Sequence, residues 1–82
     1  MSDQYDDLDI HPGETLQELL EIQNLSAEEL ALKTNVSPSY INQILNGERD
    51  ITHHMAVALE EALGVDKMFW INLQALYDDP NG

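Results

Sequence analysis

Between residues 37 and 43 the chain carries Ser37, Ser39, Tyr40, Asn42 and Gln43, hydrogen-bonding side chains with no formal charge among them. Asn and Gln hold a donor and an acceptor on one planar group, so either can bond bidentately to adenine, and Ser bonds to both kinds of base edge. Chemistry of this type recognises a surface and does not transform it. Ile41, Ile44 and Leu45 fall between these residues as an apolar stripe at helical spacing, which turns the polar set outward. The competing reading of the same pattern is a polar, solvated helix face with no ligand. Other chemistry is harder to assemble. His53 and His54 are adjacent, so on a helix they point about 100° apart and cannot share a metal ion, and His11 is distant in sequence. There is no glycine-rich phosphate loop, no HExxH and no nucleophile with a partnered base. The chain is therefore expected to be a non-enzyme without metal or cofactor.

The elements that position those residues are all helical. Pro12 and Gly13 open a helix with Leu16, Leu19, Leu20 and Ile22 as candidate inward residues, closed by Asn24. Ser26 and Glu29 form a capping box for a second helix, whose core residue is Leu30. Asn35-Val36-Ser37 reads as a tight turn, with Asn35 able to take positive φ. Ser37 caps a third helix with Pro38 at its first position, and Asn46-Gly47 stops it. Thr52 caps a fourth with Met55, Leu59, Ala62 and Leu63 inward, ended by Gly64, and Asp66 caps a fifth. The second and third helices, residues 26–45, have the lengths and turn of a helix-turn-helix unit. The expected organisation is all-α, with an acidic lead at 1–9, one domain at 10–78 and a flexible tail at 79–82.

Charge sets the main constraint on partners. Sixteen acids against three bases, Lys33, Arg49 and Lys67, leave a formal net charge of −13 over 82 residues. Phosphate contacts come mostly from Lys and Arg, so this balance opposes nucleic-acid binding as a whole. The acids are unevenly placed, however, and residues 38–45 carry no charge. Exposed carboxylates at helical spacing, Glu14, Glu18 and Glu21, read as a solvated face or as a docking surface for a basic protein. The absence of cysteine and of any long apolar run predicts a soluble cytoplasmic protein with no membrane contact.

The fifth helix holds Met68, Phe69, Trp70, Ile71, Leu73, Leu76 and Tyr77, more bulky apolar groups than one stripe can bury. Most are expected in the core, with Trp70, Leu73 and Tyr77 as the seam of a homodimer. A two-fold pair would set two recognition helices about one DNA turn, ~34 Å, apart.

The chain resembles the HigA antitoxins of the XRE-type helix-turn-helix family. The resemblance rests on Ile10-His11-Pro12-Gly13-Glu14, Leu25-Ser26, Glu29-Leu30-Ala31, Val36-Ser37, Ile44-Leu45-Asn46-Gly47, Arg49, Ile51-Thr52, Met55-Ala56, Phe69-Trp70-Ile71-Asn72-Leu73-Gln74 and Tyr77-Asp78. It implies a five-helix, lambda-repressor-like bundle that dimerises through its C-terminal region and represses its own operon from a palindromic site on double-stranded DNA. It also implies a partner, a small basic ribonuclease toxin. Family usage maps base contacts onto Ser37, Ser39, Tyr40, Asn42 and Gln43, and phosphate contacts onto Ala27 and onto Asn46 through Arg49. The chain departs from the family pattern at Ala27-Glu28, at Glu48 and at Pro38, where polar or basic residues are customary. Arg49 then remains as the nearby full positive charge, and binding is expected to be weak and favoured by low salt. The alternative to a repressor is an acidic protein-interaction module that keeps the fold.

Overall fold

Every helix begins where an N-cap side chain accepts one of the free N–H groups of the first turn. In the computed structural model, which describes residues 10–79, these starts define α1 (Pro12–Gln23), α2 (Ala27–Thr34), α3 (Pro38–Leu45), α4 (His53–Leu63) and α5 (Lys67–Asp78). Ser26 Oγ accepts from Glu29 N at 3.0 Å while Ser26 N donates to Glu29 Oε1 at 2.8 Å, the reciprocal pair expected from the sequence. Ser37, Thr52 and Asp66 accept from Tyr40, Met55 and Met68 N–H at 3.1, 3.1 and 2.7 Å. Asn24 and Asn35 end α1 and α2 at φ 59° and 62°, and Gly47 and Gly64 follow α3 and α4 at 79°. Asn tolerates this left-handed conformation because its short polar side chain bonds locally.

One core joins the helices. Leu16, Leu30, Ile41, Ile44, Met55, Leu59 and Trp70 are completely or almost completely shielded from solvent. α2 packs on α3 and α4, α4 packs on α5, and α1 bridges α3 and α5. α1 and α3 come so close that a Cβ on Gly13 would sit on the carbonyl oxygen of Ile44. The helix-turn-helix pair is thus held from both sides. No helix among the described residues is long and apolar enough to cross a membrane.

Two polar residues that the sequence offers only as part of the family motifs, with no structural role, tie the helices together. His11, 6% exposed, is the N-cap of α1, and its Nδ1 accepts from Gly13 N at 2.9 Å. An accepting Nδ1 places the ring proton on Nε2, which lies 3.5 Å from Asp50 Oδ1 in the α3–α4 loop. Tyr77 of α5 packs edge-on against the same imidazole at 4.9 Å between centroids. Gln74, 7% exposed, accepts from Ile51 N at 2.9 Å and donates to Asp78 Oδ1 at 3.0 Å. Gln74 therefore pins the α3–α4 loop to α5, while His11 packs against the same loop from the start of α1.

Several expectations are corrected. Ile22 is 78% exposed: it lies two residues beyond Leu20, about 200° around α1 and away from the core. On α5, of the seven bulky apolar residues only Trp70 is buried. Trp70 does not contribute to a surface seam, because it and Gln74 share the face turned into the core. Leu73 is half-buried and Tyr77 covers His11, so Trp70, Leu73 and Tyr77 do not form one exposed stripe. The solvent face instead carries Met68, Phe69, Asn72, Ala75 and Leu76, which lie opposite Trp70 and Gln74. The acidic lead at 1–9 and the tail at 80–82 lie outside the described residues, while Asp79 caps α5, its N–H bonding to Ala75 O at 2.9 Å.

Two substitutions test this arrangement. Gly13→Ala gains helix propensity of about 1 kcal/mol at most, but the clash with a backbone carbonyl costs about 1–3 kcal/mol. The net result is a lower melting temperature, and an unchanged one would contradict the close approach of α1 to α3. Gln74→Leu leaves the Ile51 N–H buried without its acceptor and should reduce urea stability by about 1–3 kcal/mol. A loss below about 0.5 kcal/mol would show that this N–H reaches water.

Candidate nucleic-acid interface

α3 is an eight-residue helix whose inner face is fixed by Ile41 and Ile44. At about 100° per residue the opposite direction falls on Ser39, Asn42 and Gln43. Ser39 and Asn42 are exposed and Gln43 is half-buried, so the three form one accessible polar strip. The spacing i, i+3, i+4 places neighbouring side chains within reach of successive base edges. Ser37 is exposed at the N-cap, but its hydroxyl oxygen already accepts from Tyr40 N. It retains its O–H as a donor, which suits a phosphate or a base acceptor.

Tyr40 stands at the flank of this strip, half-buried against the core. Arg49, from the loop after α3, lies across it with the guanidinium carbon 4.5 Å from the ring centroid. Arg49 Nε donates to Gln43 Oε1 at 2.8 Å. Tyr40, Gln43 and Arg49 are thus brought into contact, an association that the sequence spacing does not reveal. Asn46 is exposed and ends α3, with its N–H on Asn42 O at 2.9 Å. The seven residues expected to face DNA, Ser37, Ser39, Tyr40, Asn42, Gln43, Asn46 and Arg49, all fall on α3 and its two flanks. His53 and His54 are exposed at the start of α4.

The electrostatics around this strip are sparse. α3 has no charged residue, α2 carries Glu28 and Glu29 in its first turn and Lys33 in its last, and Glu48 and Asp50 flank Arg49. Ala27, half-buried at the start of α2, offers only its backbone N–H to a phosphate there. The site has the hydrogen-bonding chemistry of base readout with few of the cations that normally supply affinity.

Comparison with known proteins agrees with this geometry. A helix-turn-helix family model matches residues 16–70, the span from α1 to the first turn of α5. Virulence-associated protein I of Dichelobacter nodosus is 46% identical over 70 residues, covering 84% of this chain and 65% of that protein. The chain thus spans somewhat less than two thirds of the length of that relative. Among solved structures, an addiction module antidote protein of the HigA family from Coxiella burnetii superposes with a TM-score of 0.78 at 41% identity, covering 85% of this chain and 77% of that one. Pseudomonas aeruginosa antitoxin HigA, solved with the higBA promoter, gives a TM-score of 0.81 at 37% identity over 85% of this chain and 77% of the other. The chain belongs to the XRE-type helix-turn-helix family, and within it is similar to the HigA antitoxins.

Proposed function

We propose that the protein is a HigA-like antitoxin that binds a palindromic operator as a dimer and represses its own toxin–antitoxin operon in the cytoplasm. The observation that carries this reading is the polar strip Ser39, Asn42 and Gln43, held outward by burial of Ile41 and Ile44. It is supported by the P. aeruginosa HigA structure, in which a protein of the same fold is seated on promoter DNA. Ser37 and Asn46 then serve the phosphates at either end of α3, and the strip reads bases.

The dimer is assigned to the outer face of α5. Met68, Phe69 and Leu76 are 48, 41 and 53% exposed, and Leu76 lines a shallow groove with Asn72, Ala75 and Asp79. Burying such a face on a second copy offsets the scarcity of cations, because two weakly held α3 helices act on one duplex. The toxin-neutralising role rests on the exposed acids of α1, Glu14, Glu18 and Glu21, whose field suits a basic ribonuclease.

The same acids support the second reading, an interaction module that retains the fold and has lost DNA. Selection from a randomised duplex pool of about 30 bp at low salt separates the two, since a repressor enriches a palindrome with half-sites about 10 bp apart. On the enriched site, Asn42→Ala with Gln43→Ala should weaken binding at least about tenfold. Survival of affinity within about threefold would remove these residues from the readout. Absence of any enrichment would favour the interaction module. Leu76→Glu should convert the dimer to a folded monomer in sedimentation, and an unchanged mass with unchanged helicity would take the dimer off this face.

A further inference from the structure

Arg49 is one of three basic residues in the chain, and the structure holds it against the base-reading strip. Tyr40 and Gln43 are three residues apart and so neighbour each other along α3, and Arg49 reaches back from the loop to lie across both. Its Nε–H can only donate, so the atom of Gln43 that faces it must be the carboxamide oxygen. That contact fixes the orientation of the amide and turns the Nε2 hydrogens away from Arg49. A glutamine that reads adenine must accept from the adenine N6 amino group as well as donate to N7. Here one of the oxygen's two lone pairs is taken by a cation, whose field opposes a second donor brought beside it. The groups left to face a base are mostly donors, the amide N–H pair of Gln43 and the Nη hydrogens of Arg49. Guanine is the base that offers two acceptors, O6 and N7, on its major-groove edge.

We propose that Tyr40, Gln43 and Arg49 act as one donor-rich unit that selects guanine at the base pair it faces, in place of the adenine expected for a free glutamine. Arg49 determines the specificity, and Tyr40 is a positioning residue that keeps the guanidinium flat against the flank of α3. The inference rests on the base-reading role of α3 proposed above. It differs from a phosphate role for Arg49, which would raise affinity equally for every sequence.

The test uses the full chain and its Arg49→Ala, Tyr40→Leu and Tyr40→Phe variants on the site enriched by the wild-type protein. Each position of one half-site is replaced in turn by the other three base pairs. The wild type should prefer guanine at one position by about tenfold. Arg49→Ala should flatten that position or turn it to adenine, while preferences elsewhere persist. Tyr40→Leu should weaken the same preference, and Tyr40→Phe, which keeps the ring, should retain it. Arg49 is exposed, so matching far-ultraviolet spectra establish that its variant is folded. A uniform loss across all sequences, with a salt slope lower by about one, makes Arg49 a phosphate ligand and overturns the inference. Selection of adenine by the wild type at the position that responds to Gln43→Ala overturns it too. In both cases enrichment itself leaves the base-reading role standing. If the wild type enriches no sequence, that role falls, and the inference with it.

Discussion

The carbonyl of Ile44 occupies the space where any residue larger than glycine at position 13 would put its Cβ, and the orientation of α3 follows from that approach. Close-packed interiors tolerate little displacement, so α1 seated on the backbone of α3 fixes the latter's rotation about its axis. Ile41 and Ile44 then point inward together, and Ser39, Asn42 and Gln43 must point outward. His11 reinforces the contact by capping α1 at the same place, with Gly47 close beneath its ring and Asp50 beyond it. The loop that carries Asn46 and Arg49 is held by the same group that starts the first helix. Gln74 binds the far end of this loop at Ile51, so a short irregular segment is anchored to α1 and α5 at once.

Electrostatics pull against the function that this geometry offers. A net charge of −13 on so short a chain repels a polyanion, and the screening length at 0.1 M salt, about 10 Å, still lets nearby acids act. The placement of charge decides the outcome locally. α3 is neutral, and the acids of α1 lie on its exposed face, opposite Leu16 and Leu20. The cation beside the strip, Arg49, is engaged by a ring and an amide rather than left on a free stem. Immobilising a long side chain costs entropy, and doing so before a ligand arrives removes that cost from binding. With few cations to neutralise phosphates, such pre-organisation matters more than it would on a basic helix-turn-helix domain.

α5 serves two purposes with one amphipathic inversion. Trp70 fills the core and Gln74 satisfies a loop N–H, so the inward face mixes the largest apolar side chain with a polar one. The outward face is largely apolar too, with Met68, Phe69 and Leu76 exposed around Asn72. A helix whose exposed face is this apolar calls for a partner surface, because burying even half of such side chains recovers hydrophobic free energy at about 25 cal/mol per Å².

Local chemistry dictated the helix boundaries. Capping side chains at Ser26, Ser37, Thr52 and Asp66, the prolines at first positions, and Asn35, Gly47 and Gly64 at left-handed stops act over three or four residues, so their effect is written in the sequence itself. The stripe Ile41–Ile44 likewise gave the outward set on α3, since helical periodicity is geometric. Resemblance to a known family added what periodicity cannot, the kind of ligand that such a set meets. Tertiary structure alone decided three things. It put Trp70 inside, because α5 has apolar residues on every side and only contact with α4 and α1 chooses among them. It gave His11 and Gln74 their roles, because their partners Asp50 and Ile51 lie 39 and 23 residues away in the chain. And it brought Arg49 onto Tyr40 and Gln43, because a loop residue has no helical phase from which its neighbours can be read.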